Sequence, residues 1–185
     1  MPLCIYWRLK LNRRAFYTSI ILGPIISLEA YSEVYMTDQK AAETIFPSVK
    51  FEKTLVPLSK EDQQKIKDLS GENNRADNAT VWRAQSGEWV FIDRVLGKHE
   101  FITYAVGIGP DGKVKGIEIL EYRESYGQKV RDLPWRQQFA GKDKTSPLKL
   151  NSDIKNISGA TLSSAHITAG VRRVLQTYEL IKNRA

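Results

Sequence analysis

Two apolar runs joined by a four-residue turn constrain this chain more than any other feature. "HEFITYAVGIG", residues 99–109, and "VKGIEILEY", residues 114–122, flank "PDGK", residues 110–113. Pro110 fixes its own φ and Asp111-Gly112 tolerates tight-turn dihedrals, so the runs fold back on each other as antiparallel strands. Upstream, "TVWRAQ" (80–85) and "EWVFIDRVLG" (88–97) alternate or run apolar on either side of Ser86-Gly87. A meander of about four or more antiparallel strands is expected.

The hydrophobic period then changes. From roughly 163 to 183, Ile167, Val171, Val174, Leu175, Tyr178 and Ile181 keep a 3.6-residue rhythm, with Arg172, Arg173 and Glu179 off that face. This predicts a long amphipathic helix near the C-terminus. Shorter helices are expected at 37–46, where Ala41, Ala42, Ile45 and Phe46 share a face, and at 59–71. Ser59 is the N-cap of the second, Asp62 favours its first turn, and Gly71 ends it. "DLPWRQQF", 132–139, reads as another short helix with Asp132 near its cap and Pro134 in its first turn. The fold class is therefore α+β: a twisted antiparallel sheet with packed helices and a long C-terminal helix. Residues 72–79 and 143–156 are polar connections, and no internal repeat is evident. The expected organisation is an N-terminal segment 1–32, a helical lead-in 33–79 and a main domain 80–185.

The net charge of +7 is unevenly spread. Arg8, Lys10, Arg13 and Arg14 precede the first acid, Glu29, and "AFYTSIILGPIISL", residues 15–28, is uncharged and mostly apolar. Basic residues followed by such a run match a secretory signal peptide, with Ala30 and Ser32 as the small residues at positions −3 and −1 of a cleavage site. The run is shorter than the ~20 residues that span a membrane, and Pro24 interrupts it. A cleaved signal is the first expectation, an uncleaved membrane anchor the second and a buried core helix the third. Both exported forms place the rest on the periplasmic or extracytoplasmic face of a membrane. Residues 1–32 take four of the 28 basic residues and one of the 21 acidic ones, leaving 24 against 20. That balance, without a basic run interleaved with aromatics, points away from a nucleic-acid partner. The single cysteine, Cys4, lies in the same segment. The remainder therefore has no disulfide, cysteine-ligated metal or cysteine nucleophile. Two histidines, His99 and His166, are too few for a convincing protein-only metal site.

Small and hydroxyl residues crowd into "SGATLSS", 158–164, where the long helix begins. Gly159 opens backbone shapes closed to other residues. The first N–H groups of a helix lack internal partners and carry partial positive charge, which suits a phosphate. The Ser158 and Thr161 hydroxyls then have two readings: helix caps worth about 1 kcal/mol each, or groups that hydrogen-bond or become esterified to a phosphate. Ser163 and His166 lack a nucleophile elbow and a third partner, so no catalytic residue is assigned.

"SGATLSS" followed by "ITAGVRRVL" resembles the signature of the FMN-binding domain family. That family includes the flavin-bearing C subunit of the sodium-translocating NADH:quinone reductase and a flavin-bearing component of the Rnf complex. "KHEFITYAVGIGPDGKVKGIEILEYRESYG" is similar to the strand–turn–strand and Tyr-Gly element of those domains, and "WRQQFAGK" to their Phe-x-Gly-Lys segment. The resemblance covers roughly residues 80–181. It implies FMN bound covalently, through its phosphate, to Thr161 by an ApbE-type flavin transferase outside the cytoplasm. It implies further that Ser158, Gly159, Ala160, Leu162 and Ser163 surround the attachment point. Tyr122, Tyr126 and Trp135 are candidates for the aromatic surface against the flavin ring, with core packing the alternative for each, and Glu124 and Tyr126-Gly127 would shape the pocket edge. Lys142 is a candidate phosphate contact, with a solvated lysine the alternative. One position departs from the family pattern. Members commonly carry an acid three residues before the motif serine; here it is Lys155, and the nearest acid is Asp153.

The resemblance implies an exported electron carrier fed by a membrane electron-transfer protein. No nicotinamide-binding G-x-G-x-x-G fingerprint is expected, which makes the chain a carrier rather than a self-sufficient enzyme. Two alternatives remain open: a flavin-dependent reductase of a small substrate, and a non-redox periplasmic binding or regulatory module without flavin.

Overall fold

The computed structural model describes residues 33–73, 76–124 and 127–184. The signal or anchor expected within residues 1–32, and Tyr126, fall outside them. Among the described residues six strands form one antiparallel sheet: β1 (Glu33–Val34), β2 (Glu52–Pro57), β3 (Asn78–Arg83), β4 (Trp89–Leu96), β5 (Phe101–Ile108) and β6 (Val114–Tyr122). Their order is β1-β6-β5-β4-β3-β2. The helices are α1 (Asp38–Ile45), α2 (Lys60–Ser70), the single turn α3 (Leu133–Arg136) and α4 (Thr161–Ile181). Among the described residues no helix is long and apolar enough to cross a membrane.

The central hairpin follows from its turn. Gly112 takes φ +75°. Gly112 N donates to Gly109 O (2.9 Å), Gly109 N to Lys113 O (2.8 Å) and Lys113 N to the Asp111 carboxylate (3.1 Å). Gly107, Gly109 and Gly112 do have G-x-G-x-x-G spacing, contrary to the expectation that the pattern is missing. However, they sit in a hairpin that opens no helix, so the string is not a dinucleotide fingerprint.

Helix α4 lays Ile167, Val171, Val174, Leu175, Tyr178 and Ile181 onto one face of the sheet, in a common core with Val81, Phe91, Tyr104, Val106 and Ile117. Each such side chain contributes about 1.5–3 kcal/mol on burial, far more than an exposed ion pair at ~0–1 kcal/mol. The apolar stripe therefore decides where α4 docks. Arg173, expected off that face, has a side chain only 12% exposed and meets Asp93 at 2.6 Å. Tyr104 donates to the same carboxylate oxygen (2.7 Å). A Cβ at position 170 would collide with the Tyr104 hydroxyl, so Gly170 lets the helix approach. On the opposite face α1 packs Ala41, Ala42 and Phe46 against Val90, Ala105 and Leu120.

Residues 33–79, expected as a helical lead-in, hold α1 and α2 but also supply both edge strands of the sheet. β2 shows no alternation that the sequence could reveal, because only Val56 of its six residues is buried. Such a strand is defined by pairing with β3, from Glu52↔Arg83 to Pro57↔Asn78. Pro57 is tolerated because it ends an edge strand. α2 starts with a full capping box: Asp62 N donates to Ser59 Oγ and Ser59 N to the Asp62 carboxylate. Arg184 reaches back to that carboxylate with two hydrogen bonds of 2.7 and 2.8 Å.

Candidate functional site

The small-residue turn is built by Asn156. Its Oδ1 accepts from Ile157 N (2.8 Å) and lies 2.9 Å from Ser164 Oγ, while its Nδ2 donates to Thr161 Oγ1 (3.2 Å). Ala160 N donates to Ile157 O (3.0 Å), closing a turn in which Gly159 takes φ +81°. A Cβ on Gly159 would have nothing within 4 Å, so open space lies above the turn.

Helix α4 begins at Thr161, and its N-cap is Ala160, with no side-chain hydrogen bond to the helix end. The capping reading of the Ser158 and Thr161 hydroxyls therefore fails. The first α-helical bond runs from Ser164 N to Ala160 O (2.9 Å), which leaves the N–H groups of Thr161, Leu162 and Ser163 ahead of the ladder. Thr161 is exposed beside them.

A groove of about 440 Å³ runs past this helix start, lined by Lys98, His99, Glu124, Gly159, Ala160, Thr161, Leu162 and Ser163. Glu124 faces the loop between β4 and β5, where its carboxylate accepts the backbone N–H groups of His99 and Glu100. Partial burial opposes the charge, but hydrogen bonds from the His99, Glu100 and Lys98 backbone outweigh it and hold the carboxyl below its ordinary pKa. Leu162 is 48% exposed at the groove edge.

Tyr122 and Gly127 support the groove from behind, whereas Trp135 and Lys142 do not. Tyr122 is 2% exposed, too buried to offer a ring face, and its hydroxyl lies 3.1 Å from Ser163 Oγ. Burial raises its pKa, and the Glu124 charge adds to the rise. Gly127, at φ +96°, sits where a Cβ would come within 2.5 Å of that hydroxyl. Trp135 is core: it packs edge-on against Phe139 at 5.1 Å and donates its indole N–H to Lys155 O (2.9 Å). Lys142 is paired with Asp153 (2.9 Å) rather than with the turn. Asp153 also accepts from Leu148 N and Lys149 N, so the acid nearest the motif is committed to its own loop.

The structure thus brings together Gly159, Ala160, Thr161, Leu162, Ser163 and Glu124 at the groove, leaves Ser158 exposed in the turn just before it, and puts Tyr122 and Gly127 underneath. Sequence reasoning missed Asn156, Ser164 and the Lys98–His99 wall. Asn156 lies just before the motif and carried a signal in its type, since Asn favours turn-forming side-chain bonds. Lys98 and His99 carried none. Two further hollows of about 300 and 330 Å³ share Ala76, Asp93, Arg94 and Arg173 further along α4, and include none of the expected site residues. Among the described residues no three His, Cys, Asp or Glu side chains gather as metal ligands.

Residues 97–176 match the family model of the FMN-binding domain. The chain is also similar to a protein of Acetobacterium woodii, the G component of its Na(+)-translocating ferredoxin:NAD(+) oxidoreductase complex, at 31% identity over 88 residues. That match covers 42% of this chain and 42% of the relative, so the chain spans less than half the length of the relative it matches. The matched family segment runs from the Gly97 loop to the latter part of α4 and contains the whole groove.

Proposed function

We propose that this chain, whose residues 97–176 match the family model of the FMN-binding domain, is an exported electron carrier with FMN esterified to Thr161. The observation that carries the reading is the state of the Thr161 hydroxyl. It is exposed at an uncapped helix start, next to open space above Gly159 and opposite Lys98 and His99.

The residues present fit the group. A phosphodiester carries one negative charge, and the leading N–H groups of α4 with the Lys98 ammonium supply the complementary field. Asn156 Nδ2 donates to Thr161 Oγ1, and Thr161 itself lines the groove. At about 440 Å³ the groove is in the size range of small-molecule sites, and Leu162 offers it an apolar edge. FMN, when bound, takes up two electrons and releases them one at a time, while the protein positions it and sets its surroundings. A covalent tether keeps the cofactor from diffusing away outside the cytoplasm. An ApbE-type transferase is the class of enzyme that makes this bond. The electron donor is a membrane protein, a reading supported by the complex to which the Acetobacterium relative belongs. Export rests on residues 1–32, with their basic start and apolar run.

Peptide mass spectrometry of protein from cells with a flavin transferase tests the proposal. The expected result is a Thr161 peptide heavier by one FMN-derived adduct, in protein that stays yellow after denaturation and begins near residue 33 or retains residues 1–32 as an anchor. A bare Thr161 peptide from the natural host overturns it.

A further inference from the structure

We propose that Glu124 is a positioning residue: its carboxylate clasps the loop 97–100 against the Thr161 groove and thereby sets how tightly the flavin there is enclosed. The flavin half of this proposal rests on the function proposed above; the clasp is a property of the chain alone.

Strand register creates the contact. Tyr122 pairs with Ile102 at the end of β6, so the chain continuing past Tyr122 runs beside the residues preceding β5. Glu124 therefore arrives next to Glu100, 24 residues away in sequence. The loop is already bent by Gly97 N donating to Glu100 O (2.7 Å), which turns the N–H groups that follow toward one point. Glu124 Oε1 occupies that point and accepts from His99 N and Glu100 N. Gly97 makes room for it: a Cβ there would lie 2.6 Å from Oε1 and 3.1 Å from Glu100 O. The carboxylate is spent on backbone N–H groups, and Lys98 and His99 reach the groove opposite Thr161 and Leu162. Without the carboxylate these N–H groups lose their shared acceptor, and the wall keeps the Gly97 N–Glu100 O bond but loses its tie to the end of β6.

Two readouts separate the clasp from its consequence. In a Thr161→Ala background, amide hydrogen exchange at residues 98–100 is compared for Glu124, Glu124→Gln and Glu124→Ala. Exchange should accelerate by on the order of tenfold in Glu124→Ala, as expected for loss of hydrogen bonds to a charged acceptor. It should rise less in Glu124→Gln, which keeps a neutral acceptor, while the β5 core amides are unmoved. Gly97→Ala, which pushes the carboxylate off, should reproduce the Glu124→Ala pattern. In flavin-loaded protein, iodide quenching of flavin fluorescence should increase in the same rank order. Unchanged exchange at 98–100 in Glu124→Ala overturns the clasp. Faster exchange with unaltered quenching overturns its role toward the flavin. Absence of covalent flavin from the parent chain sinks the functional reading, and the exchange arm then still decides whether the clasp exists.

Discussion

The hydroxyls of Tyr122 and Ser163 lie 3.1 Å apart in the interior and join the last residue of β6 to the first turn of α4. Ser163 is 5% exposed and follows Thr161 by two residues. Thr161 is thus held through its own helix start by a bond to the sheet, and Gly127 fits against that bond with no room for a side chain.

Tyr122→Phe should therefore loosen the helix start without removing the anchor. Losing one buried hydrogen bond costs about 1 kcal/mol. Urea unfolding should show that decrease, with covalent labelling at Thr161 retained. Stability equal to the parent would mean that the Tyr122–Ser163 bond contributes nothing.

Thr161→Ala should abolish covalent flavin and barely alter stability. The hydroxyl caps nothing and its bond to Asn156 Nδ2 is exposed, so the change should fall within ~0.5 kcal/mol. Thr161→Ser keeps a hydroxyl and should retain partial labelling. Denaturing electrophoresis with in-gel flavin fluorescence reads both, and a fluorescent Thr161→Ala band would misplace the attachment site.

Asn156→Asp tests the turn that presents the hydroxyl. The substitution removes the Nδ2 donor and sets a negative charge beside the position assigned to the phosphate. Like charges at such a range near a surface cost several kcal/mol at most. The initial rate of flavin transfer should drop by about tenfold or more, measured as adduct mass against time. An unchanged rate would show that Asn156 does not orient Thr161 for transfer.

Acid should weaken the protein partly through Asp62. A side-chain bond from Arg184 is the largest influence on this carboxyl; it and the Ser59 bonds outweigh burial and hold its folded pKa far below the ordinary value. A group whose pKa is depressed on folding stabilises the protein above its unfolded pKa, about 3.9. That contribution is lost as pH falls below about 4 toward the folded value. Asp62→Asn should be less stable than the parent at pH 7, and the gap should narrow as pH drops from about 4 toward 2. A gap independent of pH over that window would contradict the assignment.

The hairpin at 110–113 and the apolar stripe of α4 were legible because turn chemistry and side-chain period act between near neighbours. The same locality made the Ser-Gly-Ala-Thr string conspicuous. Edge strand β2 was not legible, since a strand with one buried residue is specified by its partner rather than by its own pattern. The roles of Tyr122 and Trp135 were not legible either. An aromatic has the same letter whether it faces a ligand or a core, and here both are buried.

By itself the sequence determined the class of fold, the position of the long helix and the threonine at its start, because propensity, periodicity and glycine's backbone freedom are properties of short segments. Only the tertiary structure decided that Ala160, not a hydroxyl residue, takes the cap position, and that the groove's far wall is Lys98 and His99 held by Glu124. The bonds that hold this wall join residues 24 and 25 positions apart. Their partners are chosen by strand register and by the burial of the α4 stripe, which no local stretch of chain encodes.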